Sequence, residues 1–310
     1  MNSLAIIIPA YKDTFLRAAL DSITAQTCKD FILYIGDDCS PYDIASIVQE
    51  YKNKINLIYH RFDKNLGGSD LVAQWERCIA MSKDEPYIWL FSDDDVMEPE
   101  CVDKFLSLPE VIRNNYLVHF DIGVMDEFNE GKIELKKTYP TYLTAKEYLD
   151  KKLRGEIISF VVEFIFPRQV YVNTKGFQNY DLAWGADFMT WLKFASYCKG
   201  IYSINAKNSK VLWRKSNINI SPDTSYPILV RKINSLIENA AYIKEYLQAN
   251  NYKYNFGYGK FVWGEILRNC KFLSSQDIES FYFRFVETVG FRIKSYCAFW
   301  ICRINNFFKK

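Results

Sequence analysis

The sequence of 310 residues lacks the motifs on which several common enzyme classes depend. It has no glycine-rich dinucleotide fingerprint, no phosphate-binding P-loop, no zinc-protease motif and no serine nucleophile elbow. It contains only two histidines, His60 and His119, each in an apolar strand-like run where a lone histidine is more often structural. Histidine-based zinc chemistry and a Ser-His-Asp triad are therefore poorly supported. A carboxylate is the expected general base.

Charge, cysteine spacing and hydrophobic run length exclude further classes. The 39 basic and 37 acidic residues give a net charge of +2, so the protein has no overall basic footprint for nucleic acid. The 8 cysteines contain no CxxC pair, and we expect reduced, mostly buried thiols. No run approaches the ~18–20 apolar residues of a membrane-spanning helix, and the first residues do not resemble a signal peptide. We expect a cytoplasmic protein, for which contact with a membrane surface stays open.

The sequence does contain a regular alternation of apolar runs and amphipathic segments. Short β-branched runs predict buried strands, and the segments between them have helical spacing. This alternation predicts an α/β fold with a mixed, mostly parallel sheet flanked by helices. After residue 221 the pattern is helical, which predicts a helical C-terminal extension. The predicted strands are 4–8, 31–35, 55–60 and 87–91, with helices at 14–26, 42–52 and 69–82 between them; further strands are predicted at 115–122, 157–166, 201–204 and 210–213, and further helices at 144–153, 188–197, 226–250, 260–273 and 277–310.

Polar clusters follow three of the predicted strands, and ligands of such sheets bind beyond the strands' carboxyl ends. The clusters are Pro9-Ala10-Tyr11, Asp37-Asp38 and Asp93-Asp94-Asp95. Three adjacent carboxylates repel one another, and Mg²⁺ or Mn²⁺ commonly binds one or two of them with a substrate phosphate. An acidic turn or helix cap is the plainer alternative. The position after a buried strand favours a metal site.

Three further residues are candidates for nucleotide binding or for acid–base chemistry. Asp38 is placed to accept hydrogen bonds from a ribose or a base, and Tyr11 to offer a ring face; a turn and simple packing are the alternatives. Asp187, in Trp184-Gly185-Ala186-Asp187 before an apolar helix, is the best candidate for the general base. From the residues alone an ordinary helix N-cap is the favoured interpretation of Asp187.

Together these motifs resemble the family 2 inverting glycosyltransferases, which have the nucleotide-sugar-binding GT-A fold. The resemblance covers about residues 3–215. Cys39 stands where the family usually has glycine, Ser92 where many members have aspartate, and Ala186 where they have glutamate. The motifs that carry the resemblance are Ile6-Ile7-Ile8-Pro9-Ala10-Tyr11, Asp37-Asp38-Cys39-Ser40, Asn65-Leu66-Gly67-Gly68, Ser92-Asp93-Asp94-Asp95, Lys175-Gly176-Phe177 and Gly185-Ala186-Asp187.

The resemblance implies a role for each candidate residue. Asp94 is the expected principal ligand of Mn²⁺ or Mg²⁺, with Asp95 a second or outer ligand. Asp187 is the expected base of a single inverting displacement. The residues expected to hold the nucleotide are Pro9, Ala10, Tyr11, Asp38 and Asp93, with Asp93 near the ribose, and those assigned to the acceptor are Arg168 and Trp184.

The implied activity is sugar transfer from a nucleotide-diphosphate donor, most commonly a UDP-sugar in this family, to a hydroxyl group. The expected acceptor is a glycan or a lipid-linked saccharide of bacterial surface polysaccharide synthesis. Residues 1–220 form the expected catalytic domain, with a nucleotide-sugar half (1–100) and an acceptor half (101–220). A metal-dependent nucleotidyl- or phosphotransferase and a non-catalytic nucleotide-sugar-binding scaffold are the alternatives.

The last part of the chain differs in charge from the rest. Residues 252–310 hold ten basic and four acidic residues, with aromatic rings interleaved among the cations over 277–310. This composition is typical of helices that lie in a membrane interface and are attracted to anionic lipid. We therefore expect residues 277–310 to associate with the cytoplasmic face of the inner membrane. Helices packed on the catalytic domain, or a dimer contact, are the alternatives.

Overall fold

The computed structural model describes residues 3–252, 259–290 and 293–307, which form two compact units. The first unit comprises the described residues up to Asn179 together with Thr190–Asn219. The second comprises Tyr180–Met189 and the described residues from Ile220 onward. The boundary expected after residue 220 assigns 180–189 to the catalytic domain, whereas in the structure this segment packs within the second unit.

The first quarter of the chain has the predicted alternation of strands and helices. The strands 4–10, 31–37 and 87–90 are apolar runs buried on both sides, as is typical of parallel strands covered by helices, whereas the strand 57–61 at the sheet's edge is partly exposed. In the first helix, Leu16, Leu20 and Ile23 are buried at a spacing of four and three residues, so one face meets the sheet. The elements are β1 (Leu4–Ala10), α1 (Leu16–Thr24), β2 (Phe31–Asp37), α2 (Ile44–Gln49), β3 (Leu57–Arg61), α3 (Leu71–Ile79) and β4 (Tyr87–Leu90).

The middle of the chain completes the main sheet and adds a second one. Several of its short elements were not predicted. The elements are β5 (Val96–Met97), α4 (Cys101–Leu106), α5 (Glu110–Asn115), β6 (Leu117–Phe120), β7 (Ile122–Asp126), β8 (Lys132–Leu135), β9 (Tyr142–Leu143), α6 (Ala145–Arg154), β10 (Phe164–Pro167), α7 (Arg168–Asn173), α8 (Ala186–Tyr197), β11 (Ile201–Ile204) and β12 (Val211–Lys215).

The main sheet has eight strands in the order β3-β2-β1-β4-β10-β6-β11-β9. The strands β1 to β4 are parallel, β6 is parallel to β11, and β10 runs antiparallel to both of its neighbours. The predicted mixed, mostly parallel sheet flanked by helices is therefore confirmed. Because β1 lies between β2 and β4, their carboxyl ends meet at one edge of the sheet.

A four-stranded sheet with the order β5-β12-β7-β8 was missed. The prediction of one strand over 115–122 merged the end of β6 with the beginning of β7. The predicted strand over 157–166 was too long, because only Phe164–Pro167 pairs with the sheet. The pairing of β12 with β5 brings Leu212 opposite Val96, the residue directly after the acidic triplet.

Aromatic residues build much of the core of the first unit. Trp89 is fully buried, stacks on Phe120 at 5.0 Å between ring centroids, and donates its indole N–H to the carbonyl of Val162. A second group of rings, Phe166, Trp191 and their neighbours, packs at 5–6 Å. Burial of each such ring contributes about 1.5–3 kcal/mol. The high aromatic content is thus partly explained by the core.

The C-terminal region is helical, as predicted. Along its first helix, Ile233, Ile237 and Ala240 are buried at helical spacing. The segment predicted as one or two helices over 277–310 forms two. No helix among the described residues is long and apolar enough to cross a membrane. The helices are α9 (Tyr226–Ala249), α10 (Lys260–Asn269), α11 (Ser275–Val289) and α12 (Ile293–Phe307).

Candidate active site

The three polar clusters meet at the carboxyl ends of β1, β2 and β4. One carboxylate oxygen of Asp93 accepts hydrogen bonds from the backbone N–H groups of Tyr11 and Lys12, each at 2.8 Å. The hydroxyl of Ser40 donates to the carbonyl of Tyr11 at 2.6 Å, and the N–H of Asp38 donates to the carbonyl of Ala10 at 2.9 Å. The loop after β1 is therefore held from both sides, and Pro9 and Ala10 contribute to it as the last residues of β1.

The turn after β4 gives its three aspartates different surroundings. Ser92 donates its hydroxyl to one oxygen of Asp95 at 2.7 Å, and the N–H of Arg214 donates to the other at 2.6 Å. Asp93 is bound by the loop after β1. Among the described residues, no donor forms a hydrogen bond to the carboxylate of Asp94, which is 8% exposed. Asp94 is therefore the aspartate whose oxygens remain available to a ligand.

The turn has more negative charge than its surroundings neutralise. Burial and the charge of Asp94 raise the pKa of Asp93 to about 6, against the hydrogen bonds from Tyr11 and Lys12. Burial and the same charge raise the pKa of Asp95 well above its usual range. A bound cation would relieve this repulsion.

The donor set fits a hard divalent cation with few protein ligands. No group of three or more His, Cys, Asp or Glu side chains in the described ranges is arranged to hold a metal ion. Mg²⁺ and Mn²⁺ favour oxygen, and Mg²⁺ usually takes one or two carboxylates plus substrate phosphates and water. Asp94 and its neighbour Asp95 satisfy that requirement only if a ligand such as a diphosphate supplies further oxygens.

Arg214 is a site residue that the sequence analysis missed. Its Nε donates to the carbonyl of Asp94 at 2.7 Å, its guanidinium forms an ion pair with Glu127, and it lies 4.0 Å above the ring of Phe15. The residue is buried on β12. It fixes the turn that carries Asp94 and Asp95. A charged residue inside the apolar run Val211–Lys215 was the available signal.

Asp38 is buried and already accepts four hydrogen bonds from the protein. The N–H of Leu66 (2.7 Å) and the guanidinium of Arg77 reach one oxygen. The side chain of Asn65 (2.9 Å) and the N–H of Gly67 (2.8 Å) reach the other. A carboxylate has about four lone-pair positions, so a base N–H would have to replace one of these donors. Asp38 thus holds the 65–67 loop, and its contact with a base stays a prediction.

The turn after β2 keeps a left-handed residue although cysteine replaces the family's glycine. Cys39 has φ of 52°. Asp37 stabilises this turn by accepting from the N–H of Ser40 at 2.8 Å, the hydroxyl of Tyr59 at 2.6 Å and the guanidinium of Arg61 at 2.7 Å. The substitution therefore leaves the turn intact.

Two tyrosine rings are exposed at this edge. Tyr11 was predicted from the sequence, and Tyr42, two residues after Ser40, was not. The N–H of Tyr42 donates to the hydroxyl of Ser40 at 3.1 Å, so both tyrosines are tied to the same serine. An exposed ring on a fixed backbone is suited to stacking against a base.

Comparison with known proteins agrees with this geometry. The family described as "Glycosyl transferase family 2" matches residues 5–173, more than half of the chain. The chain belongs to glycosyl transferase family 2. The matched residues include the three polar clusters and the loop held by Asp38.

Curated relatives align over part of their length. The succinoglycan biosynthesis protein ExoW of Rhizobium meliloti (strain 1021) is 26% identical over 145 residues, which cover 44% of each chain. An uncharacterized glycosyltransferase of Rickettsia typhi is 26% identical over 195 residues, which cover 62% of this chain and 58% of that protein. The chain thus spans about half the length of the curated relatives it matches.

Solved structures show the same fold. The structure titled as Staphylococcus aureus TarS 1–349 in complex with UDP-GlcNAc superposes with a TM-score of 0.56 at 12% sequence identity. The match covers 93% of this chain and 89% of that chain. The GT-A-type fold expected from the sequence is therefore confirmed for this member of glycosyl transferase family 2.

The predicted base, Asp187, and the two predicted acceptor residues, Trp184 and Arg168, do not belong to the turns after β1, β2 and β4; they lie at the beginnings of two helices. Asp187 is the second residue of α8, inside its first turn, and Trp184 precedes that helix; both belong to the second unit. Arg168 begins α7 in the first unit and donates to the carbonyl of Glu85 at 2.8 Å and to the hydroxyl of Ser82 at 2.9 Å. These contacts give Arg168 a structural role, and its contact with an acceptor stays a prediction.

Proposed function

We propose that this protein transfers a sugar, with inversion, from a UDP-sugar to a hydroxyl group of a growing bacterial surface glycan or a lipid-linked saccharide. The observation that carries the proposal is the available carboxylate of Asp94, which lies in sequence between Asp93, with one oxygen bound by the chain, and Asp95, with both oxygens bound. Family membership supplies the reaction class. The complex of TarS with UDP-GlcNAc supports a uridine donor.

Each residue of the site then has one task. Asp94, with Asp95 behind it, would hold Mn²⁺ or Mg²⁺, which supplies charge neutralisation for the diphosphate leaving group when bound. The second oxygen of Asp93 faces the ribose, and Tyr11 packs against the base. Asp187 accepts the proton of the attacking hydroxyl. A single displacement needs no covalent intermediate on the protein.

The printed names of relatives support the acceptor class. ExoW is named for succinoglycan biosynthesis, and TarS as a poly(ribitol-phosphate) β-N-acetylglucosaminyltransferase. One name refers to the biosynthesis of a glycan and the other to sugar transfer onto a poly(ribitol-phosphate). We infer that Arg168 and Trp184 lie on the acceptor side of the site, as the family resemblance implies.

A nucleotide panel tests the donor site. We expect UDP, among UDP, GDP, dTDP and CDP, to raise the melting temperature, and to do so more with Mn²⁺ than without, because a ligand of the folded state stabilises it. Asp94→Asn should remove the metal-dependent part of the shift, while Asp103→Asn, at a half-buried position on α4, should retain it. The absence of any shift with any nucleotide would contradict the donor site.

Product analysis tests the reaction. Glycosyl transfer releases nucleoside diphosphate, whereas nucleotidyl transfer releases pyrophosphate. Asp187→Asn should abolish turnover and retain the UDP-induced shift. Full turnover by Asp187→Asn would refute the base assignment, and a protein that binds UDP without any turnover would be the scaffold.

We further propose that the chain lies on the cytoplasmic face of the membrane through the outer side of α12. On that helix the exposed side chains include a stripe of apolar and aromatic residues at positions i, i+1, i+4, i+5 and i+8, which lie on one face. Phe299 and Cys302 are buried on the other side. Phe283 on α11 is a further exposed aromatic residue of this region, with 60% of its surface accessible. The stripe on α12 consists of Tyr296, Cys297, Trp300, Ile301 and Ile304.

Tryptophan and tyrosine prefer the headgroup region, and the basic excess of residues 252–310 favours anionic lipid. Several of the predicted cations, including Arg292 and Lys309–Lys310, lie outside the described residues. In sedimentation with vesicles, Trp300→Ser combined with Ile304→Ser should reduce binding to phosphatidylglycerol-containing bilayers. Val111→Ser, an exposed apolar residue on α5, is the matched control. Equal sedimentation of all three proteins would refute the membrane contact.

A further inference from the structure

The five residues before α8, Asp181–Gly185, have an unusual backbone. Leu182, Ala183 and Gly185 have φ of 58°, 51° and 83°, in the left-handed region that residues with a Cβ rarely adopt. Neither Leu nor Ala has a side chain that stabilises this conformation locally. Such a conformation persists only where the surrounding structure holds it. The 181–185 segment must therefore be fixed by contacts outside itself.

One face of α9 supplies these contacts. Arg231 binds both carboxylate oxygens of Asp181, at 2.8 and 2.6 Å. Ser235 donates its hydroxyl to the carbonyl of Asp181 at 2.9 Å, and Asn239 donates its amide to the carbonyl of Trp184 at 3.0 Å. The spacing of four residues between these three side chains places them in one row on the helix. The two ends of the 181–185 segment are thus held by a single rigid element.

Lys232 strengthens the same arrangement. Its ammonium lies 4.3 Å above the ring of Trp184 and donates to the carbonyls of Ile220, Ser221 and Asp223 at 2.7–3.0 Å. Burying an ammonium is costly unless its donors are all bound. The buried ammonium of Lys232 therefore helps to hold the indole ring of Trp184 in position.

Gly185 makes the fit between the segment and α9 specific. A Cβ at this position would lie 2.6 Å from the side-chain oxygen of Asn239, closer than real contacts allow. Ser235 and Asn239 are each only 1% exposed, although both are polar. The buried polar side chains of Ser235 and Asn239, and the glycine at 185, therefore make this contact specific in a way that apolar packing of two helices does not require.

The segment leads directly into the helix that carries Asp187. The carbonyl of Gly185 accepts the N–H of Met189 at 3.1 Å, so the segment's last residue is part of the first helical hydrogen bond of α8. Asp187 lies between these two residues. A rotation at Leu182 or Ala183 would therefore change the direction in which α8 begins and displace the Asp187 carboxylate.

We propose that Arg231, Ser235 and Asn239 are positioning residues for Asp187. The inference rests on the proposed role of Asp187 as the base. The helical C-terminal region then has a part in catalysis: α9 holds the 181–185 segment in the left-handed conformation from which α8 starts with Asp187 in place. Misplacement of a catalytic group by about 1 Å costs up to about a hundredfold in rate.

Two adjacent residues of α9 provide a matched test. Ser235→Ala removes the hydrogen bond to the carbonyl of Asp181, whereas Asn234→Ala removes a hydrogen bond that the neighbouring residue of the same helix accepts from Arg284 on α11. We expect Ser235→Ala to lower kcat for nucleoside diphosphate release about ten- to a hundredfold, with the donor KM changed less than twofold. Asn234→Ala should keep the wild-type kcat. Arg231→Gln, which changes an exposed ion pair and should fold normally, is expected to act like Ser235→Ala.

Hydrogen exchange supplies a second readout that needs no substrate. The amides of residues 182–189 should exchange faster in Ser235→Ala and Arg231→Gln than in the wild type or Asn234→Ala. Wild-type exchange and wild-type kcat in both variants would overturn the proposal, as would equal losses in Ser235→Ala and Asn234→Ala. If Asp187→Asn is inactive while these variants are active, only the positioning role fails. If Asp187→Asn is active, the proposed base itself fails.

Discussion

Lowering the pH from 7 to 5 is expected to destabilise the first unit by about 2 kcal/mol through one residue, His119. The side chain is 1% exposed on β6, with its ring stacked on Tyr139 at 3.8 Å between centroids and Nδ1 3.1 Å from the hydroxyl of Ser203. No partner for Nε2 is present in the part of the chain that the structure describes. Burial lowers the pKa of His119 to about 3.

The sign of the effect follows from proton binding. Unfolded His119 has a pKa of about 6.5, so between about pH 6.5 and 3 the unfolded chain binds a proton that the folded chain does not. Stability is therefore fully present above pH 6.5 and is lost as the pH falls, by about 1.4 kcal/mol per pH unit. From pH 7 to pH 5 the loss amounts to about 2 kcal/mol, on the order of a thirtyfold change in the unfolding equilibrium.

Urea unfolding at the two pH values, followed by the fluorescence of the buried tryptophans, measures this loss. His119→Gln should be less stable at pH 7 but should lose about 2 kcal/mol less than the wild type on going to pH 5. His60→Gln is the control, because His60 is the other histidine of the chain and is exposed on β3. A His119→Gln protein with the full wild-type pH dependence would refute the reasoning.

Two further substitutions test the edge of the sheet. Cys39→Gly should raise the free energy of unfolding by about 0.5–1 kcal/mol, because glycine adopts the left-handed backbone without strain. Cys39→Ala is the control and should not raise it. Equal stability of the two variants in urea would contradict this explanation. Arg214→Met should cost about 2 kcal/mol and abolish metal-dependent stabilisation by UDP, since it removes the side-chain donor to the carbonyl of Asp94 and leaves Glu127 without its ion-pair partner. Lys215→Met, on the adjacent exposed position, is the control in the same calorimetric measurement. Unchanged UDP stabilisation in Arg214→Met would exclude its role in holding the turn.

The central strands of the main sheet could be predicted because they are buried on both faces and form continuous apolar runs. The second sheet could not. In β8 all four residues are exposed, so Lys132–Leu135 has no apolar run, and β7 contains Gly123 in a position where a Cβ would lie 2.8 Å from Leu212. Such strands form because neighbouring strands pair with them. Local sequence patterns do not show this pairing.

The same limit applies to the site. The position of the polar clusters follows from the topology of parallel strands, so Tyr11, Asp38 and Asp93 could be grouped from the sequence. The contact of Arg214 with Asp95 joins residues 119 apart, and no local pattern announces it. The left-handed backbone of Leu182 and Ala183 could not be predicted either, because both residue types favour ordinary helix and strand conformations.

The acidic triplet shows why the sequence left its members unresolved and how the structure separates them. Each of the three carboxylates follows β4 within one turn, so spacing alone makes them equivalent. The chain engages Asp93 with the loop after β1 and Asp95 with Ser92 and Arg214. Both outer carboxylates therefore hold the turn in shape, and burial, together with the charge of Asp94, raises the pKa of each. A divalent cation bound at Asp94 would relieve the repulsion among the three carboxylates, and this is the physical basis for the expected dependence on Mn²⁺ or Mg²⁺.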